Sequence, residues 1–151
     1  MKSNYDGRSI VADMIESCSD VVEKASAIKG IRDICKFFGG QLVYLAKSKT
    51  DGDTTNELRG ILHDAVGERD GERMLKKLMA TFGGYQIYIP MEKNAFREII
   101  AREIYDRYDG TNAKIKDLCR EYGLSFTKVY RLWAEGRDNK HQMLFDFGDN
   151  L

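Results

Sequence analysis

Apolar residues recur at helical spacing along most of this chain, interrupted twice by short runs of β-forming residues. Ile10, Met14, Ile15, Cys18, Val21 and Val22 predict a helix over Ser9 to Ala27. Ile31, Ile34, Cys35 and Phe38 predict a second helix, which Gly39 and Gly40 end. Gln41 to Ala46, QLVYLA, has the composition and length of a strand. Lys47 to Thr55, KSKTDGDTT, is polar with Asp-Gly-Asp at its centre and reads as a linker. The pattern then returns. Leu58, Ile61, Leu62 and Ala65 predict a helix over Asn56 to Val66, and Leu75, Leu78, Met79 and Phe82 predict another over Glu72 to Phe82. Gly83 and Gly84 end that helix, Tyr85 to Ile89 (YQIYI) forms a strand, and Pro90 stops the pairing.

Placing FFGGQLVYLAKSK over TFGGYQIYIPMEK aligns Phe38 with Phe82, Tyr44 with Tyr88 and Lys49 with Lys93 at one constant offset. Upstream, Ile31 falls on Leu75 and Ile34 on Leu78, so we read an internal duplication of a helix-helix-strand unit. A lone five-residue strand leaves backbone groups unpaired and must find a partner. Two partners are available to YQIYI: the same strand of a second subunit, or QLVYLA of the same chain.

Beyond the second strand, Phe96, Ile99, Ile100, Ile104 and Tyr108 predict a helix over Lys93 to Tyr108, ended by Asp109 and Gly110. Arg97, Arg102 and Arg107 point the other way, to solvent or to phosphates. Thr111 to Trp133, TNAKIKDLCREYGLSFTKVYRLW, then has the spacing of two helices crossing at a tight turn. Ile115, Leu118, Cys119 and Tyr122 share one face of a helix that Thr111 or Asn112 can cap. Gly123 suits a left-handed residue beyond the helix end, Leu124 a buried turn position, and Ser125 the N-cap of a second helix. Val129, Leu132 and Trp133 pack that helix back on the first, which leaves Thr127, Lys128 and Arg131 to project toward a major groove. The unit is a helix-turn-helix.

FGGYQIYIP at 82–90, followed by a helix and then YDGTNAKIKDLCREYGLSFTKVYRLW at 108–133, resembles the Mor/C family of phage middle- and late-operon transcription activators. The resemblance covers about Asn56 to Arg137. It implies a homodimer with intertwined strands, two helix-turn-helix units on an inverted repeat near a promoter, and activation of host RNA polymerase. An intramolecular pseudo-dimer is the alternative that the duplication raises. Carried over by position, Gly83 and Gly84 form a hinge before the strand, and Tyr85, Ile87, Ile89 and Pro90 belong to the dimerisation segment. The DNA-binding set is Ser125, Phe126, Thr127, Lys128, Tyr130 and Arg131 on the reading helix, Asn112 and Lys114 at the entry to the motif, and Gln86, Tyr88 and Lys93 near the second strand. Arg131 and Lys128 suit guanine or phosphate, Phe126 and Thr127 a thymine methyl, and Ser125 a phosphate oxygen. The first unit, Ser9 to Lys47, is extra relative to the family pattern.

The expected fold is mainly α with short β-strands. A helical, dimerisation-type N-terminal region holds the duplicated units at 1–47 and 56–91, joined by a linker at 48–55. A helix-turn-helix domain at 92–141 and an acidic, aromatic tail at 142–151 follow. The tail is expected to fold back or stay without structure, or else to serve as a short linear motif for a partner such as a polymerase subunit or sliding clamp.

At 151 residues and 42% hydrophobic content the chain supports a real core. Its net charge of zero argues against indiscriminate adhesion to nucleic acid and confines any basic surface to one region. From Lys114 to Lys140 seven bases meet four acids, a modest excess. Cys18, Cys35 and Cys119 are widely spaced on apolar helical faces, as core thiols of a reducing cytoplasm would be, and the family resemblance implies that this is the cytoplasm of a bacterial host. No metal or other cofactor is expected, because CxxC is absent and neither His63 nor His141 has neighbours at ligand spacing; His63 reads as an exposed helical residue. No apolar run approaches the ~20 residues of a membrane span. The glycine pairs lack the rest of a P-loop and no nucleophile-base arrangement stands out, so no enzyme activity is expected. A protein-interaction module that keeps the helix-turn-helix as a scaffold is the alternative function, motivated by the zero net charge and by Glu135 following the reading helix.

Overall fold

In a computed structural model that describes residues 7–48 and 52–149, with side chains over 10–48 and 52–139, the chain is mainly helical with one two-stranded antiparallel sheet. The elements run α1 (Gly7–Cys18), α2 (Lys24–Phe38), β1 (Gln41–Leu45), α3 (Asp53–Val66), α4 (Glu68–Phe82), β2 (Tyr85–Ile89), α5 (Glu92–Ala95), α6 (Arg97–Arg107), α7 (Asn112–Tyr122) and α8 (Phe126–Asp149). They fall into two compact units, Met1–Ala95 and Phe96–Leu151.

The two strands pair with each other in this chain. β1 and β2 pair antiparallel, with Gln41 opposite Ile89, Val43 opposite Ile87 and Leu45 opposite Tyr85. Val43, Leu45 and Ile89 turn inward and are buried. They meet a helical core that includes Ile31, Ile34, Leu62, Leu75 and Leu78, which gives the ribbon the packed face that two short strands need. Leu42, Tyr44 and Tyr88 remain exposed on the outer face. At the hinge positions, Gly83 is extended (φ −66°, ψ 152°) and Gly84 has φ +91°. A Cβ on Gly83 would lie 2.6 Å from the Lys47 Cα, so a side chain there would strike backbone.

Several predicted boundaries shift. The helix expected over Ser9 to Ala27 ends at Cys18, and the second begins earlier than predicted, at Lys24. Ser19 Oγ donates back to the Ile15 carbonyl (2.7 Å), and the Val21 and Val22 N–H groups both return to the Cys18 carbonyl, closing a turn before α2. α3 begins at Asp53, inside the expected linker, with Thr55 buried and Asp53 in the first turn where a carboxylate favours the helix dipole. Lys49 to Asp51 of that linker lie outside the described residues. α4 begins a turn earlier than predicted, at Glu68, because Gly71 lets it cross α3 closely: a Cβ there would lie 2.8 Å from the Leu62 carbonyl carbon. His63 is half-buried rather than exposed, its Nε2 2.9 Å from Glu72 Oε2, a carboxylate that Arg59 also binds.

The helix predicted over Lys93 to Tyr108 breaks at Phe96, which leaves helical geometry (φ −111°, ψ 26°) and buries its ring. α8 continues to Asp149 through the stretch expected as a tail, whose side chains lie outside those described. Cys18 and Cys35 are buried, and burial pushes both thiols up to about 12. Cys119, expected in the core, is only half-buried.

Candidate nucleic-acid interface

The second unit is organised around α8. Gly136 on α8 packs against the Ala101 carbonyl of α6, an approach that leaves no room for a side chain. Trp133 of α8 meets Tyr105 and Tyr108 at ring-centroid distances of 6.0 and 6.2 Å, and Tyr130 meets Tyr108 edge-on at 6.0 Å. Val129 and Leu132 of α8 are buried, as are Ile115 and Leu118 of α7.

The turn between α7 and α8 follows from local chemistry. Thr111 Oγ1 accepts the Lys114 N–H (3.2 Å) and so caps α7, settling the choice between Thr111 and Asn112. Asp109 in turn accepts from the Thr111 N–H (2.9 Å) and hydroxyl (2.6 Å), which holds its carboxyl below the usual range. Gly123 takes the left-handed conformation (φ 65°, ψ 39°), and the Gly123 and Leu124 N–H groups both fold back to the Cys119 carbonyl. Leu124 is half-buried rather than fully buried. Ser125 Oγ accepts the Lys128 N–H (3.2 Å), capping α8 and leaving its own hydrogen free to donate.

The first turns of α8 expose Ser125, Phe126, Thr127, Lys128, Tyr130 and Arg131 and bury Val129. At 100° per residue Thr127 and Arg131 lie nearly opposite Val129, with Lys128 and Tyr130 flanking them. Tyr130 divides its ring between solvent and Tyr108. Asn112 is exposed in the first turn of α7, and Lys114 is half-buried. In the first unit, Gln86 and Tyr88 are exposed on β2 and Lys93 on α5, while Pro90 and Ile89 are buried and Ile87 is half-buried.

Sequence reasoning missed the electrostatic arrangement. All four acids between Lys114 and Lys140 are ion-paired: Asp117 with Arg120 (3.8 Å), Glu121 with Arg107 (2.5 Å), Glu135 with Arg97 (2.6 Å) and Asp138 with Arg137 (3.3 Å). Arg97 and Arg107 come from α6 and each binds its glutamate through two nitrogens; both keep a face in solvent, as expected, while their guanidinium groups are held by carboxylates. These partners hold the Glu121 and Glu135 carboxyls below the usual glutamate range. Lys114, Lys116, Lys128 and Arg131 have no ion-pair partner among the described residues, so α7 and the start of α8 carry unpaired cations on a chain of zero net charge. Partners 14 and 38 residues apart leave no local signal in the sequence.

A family model, the Mor transcription activator family, matches residues 48–143. The chain belongs to that family. The match takes in α3 to α7, β2 and the first part of α8 of this Mor-family protein, and leaves α1, α2 and β1 outside. No curated protein and no solved structure matches the chain. The Mor family is one of transcription activators and not of enzymes, and membership places the protein in transcription regulation. Among the described residues no helix is long and apolar enough to cross a membrane.

Proposed function

We propose that this Mor-family chain is a sequence-specific, double-stranded-DNA-binding activator of phage or prophage origin that inserts the first turns of α8 into a major groove. The observation that carries the reading is the exposed set Thr127, Lys128 and Arg131 opposite buried Val129, beside acids already neutralised by arginines. Arg131 and Lys128 have the donors for guanine or phosphate, Thr127 and Phe126 the apolar contact for a thymine methyl, and Ser125 a free hydroxyl hydrogen for a phosphate oxygen. Asn112 and Lys114 lie at the entry to the motif, and Gln86, Tyr88 and Lys93 are further candidate contacts. Gly83 and Gly84 keep the hinge role, at the base of β2. Host RNA polymerase is the protein partner that activation requires, and the bacterial cytoplasm is where the two would meet. The interaction-module alternative loses one of its motives, because Glu135 is bound by Arg97 and does not oppose a phosphate freely.

Binding should be salt-dependent: each phosphate neutralised contributes about −0.9 to the slope of log K against log salt. The test is a binding titration on duplexes selected from a random pool by capture on the protein, over a range of salt. Lys128→Ala should weaken all sequences alike and reduce the slope by about 1, whereas Arg131→Ala should cost about 1–3 kcal/mol and relax one base position. Retention of no duplex at low salt, or an unchanged affinity in Arg131→Ala, would overturn the reading.

A further inference from the structure

The ribbon unit has the internal relation of two chains that have met, yet one chain supplies both halves. Moving along the sequence by the offset that takes Phe38 to Phe82 carries Gly39 to Gly83, Val43 to Ile87 and Lys47 to Met91. The strand register closes this relation on itself. Val43 faces Ile87, its own counterpart, and the pair Gln41–Ile89 repeats as Tyr85–Leu45. The Gly40 N–H donates to the Ile89 carbonyl and the Gly84 N–H to the Leu45 carbonyl, both at 2.7 Å. A Cβ on Gly39 would lie 2.8 Å from the Met91 Cα, as one on Gly83 would lie 2.6 Å from the Lys47 Cα. A local two-fold therefore passes between Val43 and Ile87.

The same relation pairs Gly30 with Met74, and these two counterparts touch each other. A Cβ at position 30 would sit 2.6 Å from the Met74 Cε, and Met74 is fully buried. Two second units facing one another would set methionine against methionine where the space admits one side chain; two first units would leave a void. Each half fits the other better than it fits itself.

We propose that the first helix-helix-strand unit stands in for a second subunit, so that the chain is a monomer and takes one unrepeated site on duplex DNA with a single reading helix. The DNA part rests on the function proposed above. Among the described residues β1 is followed by α3, and the first half carries no reading helix of its own.

Two measurements on the full chain test this. Light scattering after size exclusion should give the mass of one chain, 17.3 kDa. Leu42→Cys with Tyr88→Cys, in a Cys119→Ser background, places thiols directly opposite each other on the exposed ribbon face; on oxidation they should link within one chain. A mass near twice that value, or linked dimers on a non-reducing gel, overturns the inference, and it does so whether or not DNA is bound. With the selected duplexes shortened stepwise, the shortest that keeps full affinity should hold one chain. Two chains on an inverted repeat also overturn it. The duplex titration uses the unsubstituted chain, because Tyr88 is itself a candidate DNA contact; if that chain runs as a monomer and retains no duplex at low salt, the DNA reading is overturned instead and the built-in pairing stands.

Discussion

Gly123 governs the angle at which α7 hands the chain to α8. Its φ of 65° is the reason for glycine, because a Cβ there would meet no atom within 4 Å. Gly123→Ala should therefore cost about 1–2 kcal/mol of conformational strain and nothing from packing. Urea denaturation followed by fluorescence of Trp133, the only tryptophan, reads this in the second unit directly. A loss well under ~0.5 kcal/mol would mean that the turn relaxes to another conformation. At this scale the sequence was largely legible, since glycine, serine and threonine at the turn and caps declare themselves by position. Asp109 did not. Its support of Thr111 depends on a backbone bend at Gly110 (φ +86°) that residue types alone do not fix.

Among elements, α6 acts on α7 and α8 through charge as well as packing. Arg107 and Arg97 bind Glu121 and Glu135 and hold both carboxyls below their ordinary range. A carboxyl depressed in the folded state contributes stability above its unfolded pKa, about 4.3, and that contribution is lost as pH falls through the folded value. The second unit should thus lose thermal stability on acidification from about pH 4.5 downward. Glu121→Gln with Glu135→Gln should lower the midpoint at neutral pH and flatten its fall in acid. An acid limb of unchanged steepness in the double variant would show that other carboxylates control it. Both glutamates are exposed enough for solvent to screen them, so the effect is modest. Helix existence and faces were readable from period, but ends were not. The breaks at Ser19 and Phe96 come from a side chain bonding its own helix and from a buried ring, and the length of α8 from the absence of a stop.

For the whole molecule, the cysteines divide the two units cleanly. Cys18 and Cys35 lie buried in the first unit, with thiols pushed up to about 12, and Cys119 lies half-exposed in the second. Iodoacetamide at pH 8 should label one thiol per native chain and three in denaturant, counted by mass spectrometry; early labelling of Cys18 or Cys35 would mean that the first unit opens readily. FGG recurs in the sequence before each strand, whereas the choice of partner strand was not legible: a register symmetric about Val43 and Ile87 serves one chain or two equally well on paper. The contact of Gly30 with Met74 is the observation on which the one-chain proposal leans. Covalent union of the halves also releases them from identity. In a dimer of like chains every substitution appears twice, but here Leu42 occupies on one strand the place that Gln86 occupies on the other, while Tyr44 and Tyr88 agree. The outer face of the ribbon has acquired a left and a right. A symmetric dimer on a palindrome has two equivalent orientations; under the monomer proposal, a single reading helix on an unrepeated site would have one.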